Sequence, residues 1–481
     1  MTVGLRQLLT NPDVPDIALS DMTLDSRQVN HGDLFVALRG RNHNGRDFID
    51  AAFSQGAAAV LTEKESEIPP RDVRIIPIDG LPRRLGELAD RFYRSPSKNL
   101  KLMAVTGTNG KTSIVELVSQ MLRSQGYRAG SIGTLGMKLV ERPSEALNTT
   151  PDCISLHRQL ARWCEEAVEW VVMEASSHAL DQGRLDGLAI DGAVFSNLSR
   201  DHLDYHPSME AYCAAKLRLF RDFSPPVRIY NADDERLLSH RDAWGSAGIG
   251  ISCDGVPADV QVSVIGAAPL VLEVKTIWGV GRIRSPLIGR FNAFNLSAAV
   301  TLLTATGLPF DAVLSAAEQS SPVCGRLQRV EFDSDITVFV DYAHTPDALN
   351  RALHALSEFD VQGCVWVVFG CGGDRDRGKR AEMGAAAAGL ADRLIVTSDN
   401  PRSESPLAII DDILEGCRYV DPLVEADRAA AITLAVSEAK SGDVVLIAGK
   451  GHETYQEVAG VRQPFSDNDQ ALKSLAERRA A

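Results

Sequence analysis

The chain lacks a surplus of basic residues and any long apolar run. Its 64 Asp and Glu residues outnumber its 50 Lys and Arg residues, which gives a formal net charge of −14. Broad binding to nucleic acid or to anionic lipid needs an excess of Lys and Arg, so this balance argues against both partners. No segment approaches the roughly 20 apolar residues that span a bilayer, and the N-terminal segment lacks the charged and apolar regions of a signal peptide. We therefore expect a cytoplasmic protein without a membrane span.

The cysteines show no pairing pattern. Eight are spread along the chain, at positions 153, 164, 213, 253, 324, 364, 371 and 417. They form no CxxC pair and no spacing with histidine that is typical of a zinc site. We expect buried free thiols.

The length of the chain and its apolar runs predict three α/β domains. At 481 residues the chain exceeds the roughly 100–200 residues of an ordinary domain. Short apolar runs between Gly and Pro turns predict a small α/β domain over residues 1–96. Buried strands that alternate with helices predict a doubly wound parallel sheet over residues 97–326. A second α/β series predicts a C-terminal domain over residues 327–481.

A glycine-rich segment, TGTNGKT, ends at Thr112, follows a predicted strand and begins a predicted helix. Backbone N–H groups at such a helix start can surround phosphate oxygens. Lys111 can reach the terminal phosphates, the Thr112 hydroxyl can ligate Mg²⁺, and Gly107 and Gly110 permit the tight turn. The usual pattern has glycine where this chain has Val105, so Gly107 has to serve instead. The motif favours ATP or GTP binding over an ordinary strand-to-helix turn with a solvated lysine.

Further motifs follow the phosphate loop along the chain. They are MEASSHAL (173–180), SNLSRDHLDYH (196–206), GRFNAFN (289–295), DYAHTPDAL (341–349) and GKGHE (449–453). Together with the loop they resemble the motifs of the Mur ligases over nearly the whole chain. The resemblance implies an N-terminal UDP-binding α/β domain, a central P-loop ATPase-like sheet and a C-terminal Rossmann-like domain. It also implies that a substrate carboxylate takes the γ-phosphate of ATP and that an amine then attacks the acyl phosphate.

The resemblance extends to the nucleotide. Its motifs and the phosphate loop place ATP, a co-substrate, against Gly107, Thr108, Asn109, Gly110, Lys111, Thr112, Ser113, Asn292, Asn295, Arg326, Asp341 and His344. Asn292 and Asn295 could equally be helix caps. Arg326 and Asp341 lie where the family has the hinge and first strand of its C-terminal domain.

The segment Asp399-Asn-Pro-Arg402 resembles the motif of those Mur ligases that add meso-2,6-diaminopimelate to UDP-N-acetylmuramoyl-L-alanyl-D-glutamate in peptidoglycan precursor synthesis. Lysine-adding relatives have a different motif there. The guanidinium of Arg402 suits a bidentate contact with the distal carboxylate of diaminopimelate. The resemblance implies acceptor contacts at Arg375, Asp399, Asn400, Pro401, Arg402, Gly449 and Glu453.

The resemblance also assigns Mg²⁺ and a catalytic set. Glu174, directly after a predicted strand, would ligate one ion with Thr112, and His202 would ligate a second. Lys216 matches a lysine that the family carbamylates to N6-carboxylysine, which would help to hold the second ion. Lys111 completes the set. Without the resemblance, a surface carboxylate, a polar-loop histidine and a lysine lying along an amphipathic helix are the alternatives.

The UDP-linked substrate is expected at the N-terminal and central segments, again from the resemblance. The residues implied are Leu24, Ser26, Arg41, Asn42, His43, Asn148, Thr149, Thr150, Ser176, Gln182 and Arg184. Without the resemblance the first of these would be ordinary polar loops, and the Thr-Thr-Pro segment would be a helix start.

Three alternatives to this ligase remain at the level of sequence. A folylpolyglutamate synthase-like ligase is disfavoured by the Asp-Asn-Pro-Arg motif and the N-terminal domain. A P-loop kinase would leave DYAHTPDAL, GKGHE and the Lys216 segment without a purpose. A nucleotide switch would not need groups for two metals and every substrate. We expect a monomer whose partners are its small-molecule substrates.

Overall fold

The computed structural model describes residues 2–40, 43–64, 72–139, 142–144, 149–359, 362–418 and 420–480. The N-terminal elements are β1 (Val3–Gly4), α1 (Leu5–Leu9), β2 (Ala18–Leu19), β3 (Met22–Thr23), β4 (Leu34–Ala37), α2 (Ile49–Ser54), β5 (Ala59–Glu63), β6 (Ile75–Ile78) and α3 (Leu81–Phe92). The central elements are β7 (Lys101–Thr106), α4 (Lys111–Ser124), β8 (Ala129–Gly133), β9 (Gly136–Leu139), β10 (Arg142–Ser144), α5 (Cys153–Glu165), β11 (Trp170–Glu174), α6 (Ser177–Asp181), β12 (Gly192–Phe195), α7 (Met209–Arg221), β13 (Val227–Asn231), α8 (Glu235–Leu238), α9 (Arg241–Trp244), β14 (Gly248–Ser252), β15 (Val260–Ala267), β16 (Leu270–Thr276), β17 (Gly279–Ser285), α10 (Phe291–Ala305) and α11 (Phe310–Glu318). The C-terminal elements are β18 (Gln328–Arg329), β19 (Thr337–Asp341), α12 (Pro346–Ser357), β20 (Val365–Phe369), α13 (Gly378–Leu390), β21 (Arg393–Val396), α14 (Pro406–Leu414), β22 (Leu423–Val424), α15 (Arg428–Glu438), β23 (Val444–Ala448), β24 (Tyr455–Val458), β25 (Val461–Pro464) and α16 (Asp467–Ala480).

The chain divides into two compact units. The first comprises Met1–Ala104, Tyr127–Gly192 and Ala215–Pro226. The second comprises Val105–Gly126, Ala193–Ala214 and Val227–Ala481. The division passes through β7, β12 and α7, so each of these elements has residues in both units.

The first unit contains two runs of paired strands. One is a parallel sheet in the order β3-β4-β5-β6. Alternate residues of β4 enter different cores: Leu34 and Val36 pack with helix α3, whereas Phe35 and Ala37 pack with the segment around α2. Burial of both faces is expected for parallel strands that helices connect. The other run has the order β10-β9-β8-β11-β7, in which β8 and β11 are parallel and β8, β9 and β10 are antiparallel.

The second unit contains two larger sheets. In its central part the strands follow the order β7-β12-β13-β14-β15-β16-β17, with β13, β14 and β15 parallel and β15, β16 and β17 antiparallel. The C-terminal sheet has the order β18-β19-β23-β20-β21-β22, and β19 to β22 are parallel. Residues of α12, α13 and α14 share one core with this sheet, and residues of α15 and α16 share the other. The C-terminal sheet is therefore doubly wound.

Most predicted elements are present, with some corrections. The antiparallel strands β15, β16 and β17 and the β8-β9-β10 run were not predicted. The alternative interpretation of the Thr-Thr-Pro segment as a helix start was wrong: α5 begins at Cys153, and the Asp152 carboxylate caps it by accepting from the Ser155 N–H at 3.0 Å. The cysteines are free, but the prediction of burial is confirmed for four of them alone: Cys164, Cys253 and Cys364 are half-buried, and Cys324 is exposed. In the part of the chain that the structure describes, no helix has the length and apolar character needed to cross a bilayer.

A buried ion pair attaches the last helix to the C-terminal sheet. Arg428, at the start of α15, and Asp467, at the start of α16, are both inaccessible to solvent. The guanidinium donates to both Asp467 oxygens, at 2.7 and 2.8 Å, and to the carbonyl oxygens of Ser398 and Ala448 at 3.2 and 2.9 Å. Removing one partner of such a pair leaves an uncompensated buried charge.

We expect Asp467→Asn to destabilise the C-terminal domain by about 3–5 kcal/mol, because the Arg428 cation would lose its counter-charge. Asp469→Asn is the matched control, since Asp469 is exposed in the first turn of the same helix. Its effect should stay below about 1 kcal/mol, the usual size of a charge effect at a helix end. Calorimetry of the full chain measures the thermal unfolding of both variants. Equal losses of stability in the two variants would contradict the expectation.

Candidate active site

The phosphate loop between β7 and α4 is held by the segment that follows β12. Gly107 and Gly110 have φ angles of 143° and 87°, in the region that side chains disfavour. A Cβ atom at Gly107 would also collide with the Ser196 hydroxyl, so this position requires glycine. Gly107 therefore takes the place of the glycine that the usual pattern has at position 105, where this chain has valine. The Asn197 side chain accepts from the Asn109 N–H at 2.9 Å and donates to the Asn109 carbonyl at 3.0 Å. Ser196 and Asn197 thus hold the loop in its conformation.

Two charged side chains meet this loop. The Lys111 ammonium donates to the carbonyl oxygens of Gly107 and Thr108 at 2.9 and 2.8 Å. Arg326 donates to the Thr112 hydroxyl at 2.8 Å, and its guanidinium lies 4.6 Å from the centre of the Tyr342 ring. With the N-terminus of α4, where Ser113 is buried, these cations make the loop suitable for a polyphosphate.

A cavity of about 530 Å³ opens beside the loop. Its lining includes Asn109, Gly110, Asn231, Asp233, Asp254, Arg290, Phe291, Phe294, Asn295 and Arg351. Asn295 donates to the Asn292 oxygen at 3.0 Å, and Asn292 donates to the Ile288 carbonyl at 2.8 Å. Both lie inside α10, so the alternative that they cap this helix was wrong. The volume of the cavity suits a nucleoside. The acidic and basic residues of its lining were not predicted from the sequence.

Asp341 fixes the turn that carries Arg326. Its carboxylate accepts from the backbone N–H groups of Leu327 and Ala343. Burial raises the pKa of Asp341 to about 6, although Arg326 and the two backbone hydrogen bonds act in the opposite direction. Leu327 has a φ of 43°, a conformation that its surroundings have to maintain. Asp341 therefore acts on the phosphate loop through Arg326.

Three basic side chains interact electrostatically with Asp201, a residue that the sequence analysis did not identify. The His202 Nε2 lies 3.4 Å from the Asp201 carboxylate. Burial would raise the pKa of Asp201, but His202, His344 and Lys379 outweigh burial and lower it. Burial, together with Lys379, lowers the pKa of His344 to about 4, so this imidazole is neutral at pH 7. His344 also contacts the Tyr342 carbonyl through Nδ1 at 2.8 Å. The predicted residues His202 and His344 thus belong to one electrostatic cluster.

In the first unit, Glu174 at the end of β11 is the centre of a hydrogen-bond network. Its carboxylate accepts from the Thr134 N–H at 2.8 Å and from the Thr134 hydroxyl at 3.2 Å. Its carbonyl accepts from the buried Thr150 hydroxyl at 2.7 Å. Thr149 lies 3.4 Å from Thr134, and Ser176 lies 3.4 Å from Thr150, measured between hydroxyl oxygens. Glu174 and three predicted substrate contacts are therefore neighbours.

Arg184 extends this network. It donates to the Thr150 carbonyl at 2.7 Å and holds the Gln182 side-chain oxygen at 2.7 and 3.0 Å. Lys216, on α7, is buried with a relative exposure of 1%. Thr134, which contacts Glu174 twice, was missed because no motif marks it.

The N-terminal residues predicted for the UDP moiety are only partly described. Leu24 is half-buried and Ser26 is buried, in a short turn that the Asp25 carboxylate caps. His43 is exposed, with its ring 6.3 Å from that of Phe48. Arg41, Asn42 and Asn148 lie outside the described residues. The structure does not bring the described three together with another predicted contact.

The predicted acceptor residues follow β20, β21 and β23 of the C-terminal sheet. Arg402 has a φ of 51° and donates through Nη1 to the Gly373 carbonyl at 2.7 Å. Asn400 donates to Glu453 at 2.8 Å. The other members are placed as follows: Asp399 and Pro401 are buried, Gly449 donates its N–H to the Asp341 carbonyl at 3.0 Å, and Arg375 is exposed.

Lys450 joins these residues and was not predicted. Its side chain is inaccessible to solvent, and the ammonium contacts the Glu453 carboxylate at 2.8 Å and the Asn400 oxygen at 3.1 Å. The GKGHE motif contains this lysine, and its place next to glycine after a buried strand was the available signal. Among the described residues, no group of three His, Cys, Asp or Glu side chains could hold a metal ion.

Comparison with known proteins agrees with this geometry. Three family models match successive segments: the Mur ligase family catalytic domain at residues 19–93, the Mur ligase middle domain at 105–303 and the Mur ligase glutamate ligase domain at 325–451. Each predicted domain contains one of these segments, apart from the first two residues of the third segment, and this agreement confirms the three-domain α/β architecture. The exact boundaries at residues 96 and 326 stay predictions.

Individual relatives match over most of the chain. The UDP-N-acetylmuramoyl-L-alanyl-D-glutamate–2,6-diaminopimelate ligase of Coxiella burnetii is 44% identical over 96% of both chains. A solved structure of a ligase of the same name has a TM-score of 0.71 and 35% identity, covering 100% of both chains. A folylpolyglutamate synthase of Mycobacterium tuberculosis, solved with ADP, shares the fold with a TM-score of 0.61 but only 20% identity over 77% of this chain.

The family models cover well over half of the chain, and a relative is 44% identical over nearly all of it. The family predicted from the motifs is thus confirmed, whereas the similarity to the synthase shows the fold alone. This chain belongs to the Mur ligase family.

Proposed function

We propose that this chain is the ATP-dependent ligase that joins 2,6-diaminopimelate to UDP-N-acetylmuramoyl-L-alanyl-D-glutamate. In the first step a carboxylate oxygen of the glutamate attacks the γ-phosphorus of ATP, and ADP leaves. In the second step an amine of the acceptor attacks the acyl carbon, inorganic phosphate leaves, and the nitrogen loses a proton. The observation that carries the proposal is the acceptor site, in which Arg402 is already oriented by Gly373 beside Asn400, Lys450 and Glu453.

The phosphate loop supports the first step. Lys111, the N-terminus of α4 and Arg326 supply positive charge where a polyphosphate would lie, and phosphoryl transfer depends mainly on positioning and charge neutralisation. The neutral imidazole of His344 and the anionic Asp201 are placed on the same unit as the loop. Enclosure of the acyl phosphate from water would prevent its hydrolysis.

Mg²⁺ fits the donor set that the sequence implies. Thr112 offers a hydroxyl, Glu174 a carboxylate, His202 an imidazole, and Lys216 a carbamate if it reacts with carbon dioxide. Hard cations prefer oxygen donors, and Mg²⁺ is usually held by one or two protein groups together with substrate phosphates. When bound, the metal supplies charge neutralisation for the phosphates. The carbamate, the meso stereochemistry of the acceptor, the monomeric state and the cytoplasmic location stay predictions.

The acceptor supports the choice of diaminopimelate. Its distal end carries a carboxylate and an ammonium, and the site offers a guanidinium at Arg402 and a carboxylate at Glu453. A site with polar groups arranged for a substrate carboxylate rejects analogues that lack it, because those groups are then left unpaired. L-Lysine is such an analogue.

Phosphate release from ATP tests the proposal directly. With the UDP-muramoyl dipeptide and saturating Mg²⁺, release should require meso-diaminopimelate, and L-lysine or no amino acid should support little. A preference for lysine would keep the ligase reaction and refute the acceptor. Phosphate release that depends on neither amino acid would favour a kinase or a nucleotide switch. Phosphate release with a folate substrate would favour the folylpolyglutamate synthase alternative.

Replacement of Arg402 by lysine separates acceptor recognition from ATP binding. A lysine retains the charge but cannot make a bidentate contact, so we expect the KM for diaminopimelate to rise by about tenfold to a hundredfold. The KM for ATP should change by less than about twofold. Steady-state kinetics with each substrate varied in turn gives both values, and equal changes would refute the role of Arg402.

Dependence on bicarbonate tests the carbamate at Lys216. Wild-type phosphate release should fall when carbon dioxide and bicarbonate are removed and return when bicarbonate is added. Lys216→Met should lose about a hundredfold in rate, comparable to the loss of a ligand of a catalytic metal, and should not respond to bicarbonate. Lys275→Met, at an exposed position of β16, is the control and should behave like wild type. A wild-type rate independent of bicarbonate would refute carbamylation.

A further inference from the structure

Two loops of the C-terminal domain form the arginine-bearing side of the acceptor site, and they contact each other. The loop between β20 and α13 carries Arg375, and the loop between β21 and α14 carries Arg402. The Gly373 N–H donates to the Asn400 carbonyl at 2.9 Å, and Arg402 donates to the Gly373 carbonyl at 2.7 Å. A Cβ atom at Gly373 would collide with the Pro401 carbonyl. The separation of the two loops is therefore small and closely defined.

Arg380 lies beneath both loops and contacts each of them. It is in the first turn of α13, and its side chain is inaccessible to solvent. Its guanidinium donates to the two Glu404 oxygens at 2.8 and 3.0 Å, and to the Gly372 carbonyl at 3.3 Å. It also donates to Asp412 on α14 at 2.8 Å. One guanidinium thus connects the first loop, the end of the second loop and the following helix.

Glu404 transmits this contact to the residues beside Arg402. One Glu404 oxygen also accepts from the Asp374 N–H at 2.6 Å, and the Glu404 N–H donates to the Pro401 carbonyl at 2.9 Å. Ser403 donates to the Asp374 carboxylate through its hydroxyl at 2.6 Å. The hydrogen bonds from Arg380 lower the pKa of Glu404 to about 2. Glu404 is therefore an anion at every pH at which the enzyme would work.

The conformation of Arg402 has to be maintained by its neighbours, which include Glu457 and Ala459 through hydrogen bonds with the backbone of Arg402. Its φ of 51° lies in the left-handed region, which costs free energy for a residue with a side chain and persists only where neighbours maintain it. Of the side-chain nitrogens of Arg402, only Nη1 has a hydrogen-bond partner among the residues that the structure describes. The remaining donors can meet a substrate carboxylate, provided that the two loops keep their spacing.

We propose that Arg380 is a positioning residue for acceptor selection: through Glu404 it sets the spacing of the loops that carry Arg375 and Arg402, and so the affinity for the distal carboxylate of the acceptor. This inference rests on the proposed function and deepens it. Arg380 touches no substrate. Its planar fork bonds two loops at once, which a lysine with a single ammonium cannot reproduce.

Steady-state kinetics of Arg380→Lys and Glu404→Gln in the full chain tests the inference. Arg380→Lys keeps the positive charge but loses the planar guanidinium. Glu404→Gln keeps the shape of the side chain but loses its negative charge. We expect each to raise the KM for diaminopimelate by about tenfold or more, because displacement of a binding group by about 1 Å has effects of this size. The KM values for ATP and for the UDP-muramoyl dipeptide should change by less than about twofold, and the preference for diaminopimelate over L-lysine should shrink.

Arg377→Gln is the matched control. Arg377, the last residue of the first loop, also pairs with Asp412, at 3.0 Å, but its side chain is 68% exposed and, among the described residues, donates to Asp412 alone. Its acceptor KM should equal that of wild type. A folded Glu404→Gln with unchanged acceptor KM would overturn the inference, as would a fall in kcat alone or an equal rise of all three KM values, since a merely structural role predicts those results. If Arg380→Lys fails to fold, Glu404→Gln decides.

The same assay separates this inference from the proposed function. Wild-type enzyme without diaminopimelate-dependent phosphate release would refute the proposed function and the inference with it. Wild-type release that depends on diaminopimelate, together with unchanged KM values in the folded Glu404→Gln variant, would refute the role of Arg380 alone.

Discussion

The arrangement of the site depends on one constraint, which is that buried parallel strands end at the same edge of their sheet. Their connecting loops then carry the polar groups, because the strands themselves are buried on both faces. In the C-terminal sheet, Asp341, Gly370, Thr397 and Gly449 stand at or directly after the ends of β19, β20, β21 and β23. The phosphate loop follows β7, and Glu174 ends β11. Each unit therefore collects its reactive groups from segments that are far apart in the chain.

Buried charges then hold these loops in place. Asp341 orients the turn of Arg326, Arg380 joins two loops through Glu404, and Lys450 sits between Asn400 and Glu453. Charged groups are costly to bury unless they are paired and hydrogen-bonded, so each has a narrowly defined geometry. Such geometry suits a ligase, since positioning of the carboxylate, phosphate and amine accounts for much of the catalysis. The Asp341 carboxylate also holds the left-handed backbone at Leu327, from whose N–H it accepts a hydrogen bond.

Local patterns in the sequence predicted much of the fold. Apolar runs located the strands β7, β11, β12, β20 and β23, because a buried parallel strand is a continuous apolar segment. The phosphate loop was predicted from a strand, glycines and a helix start in succession. The antiparallel strands β15, β16 and β17 were missed, since a strand exposed on one side has a weaker apolar signal and nothing local specifies its partners. The start of α5 was misplaced because Thr and Asp are both good caps and the sequence offers them within a few residues.

The sequence by itself determined the family, the order of the motifs and the types of group available for phosphate, metal and acceptor, because these reside in short contiguous segments. Only the tertiary structure decided which groups act together. Arg380 with Glu404, Lys450 with Asn400, Asp201 with His344 and Thr134 with Glu174 are pairs whose members lie in different segments of the chain. Their identity depends on strand order and on the burial of charge, and neither of these leaves a periodic signal in the sequence.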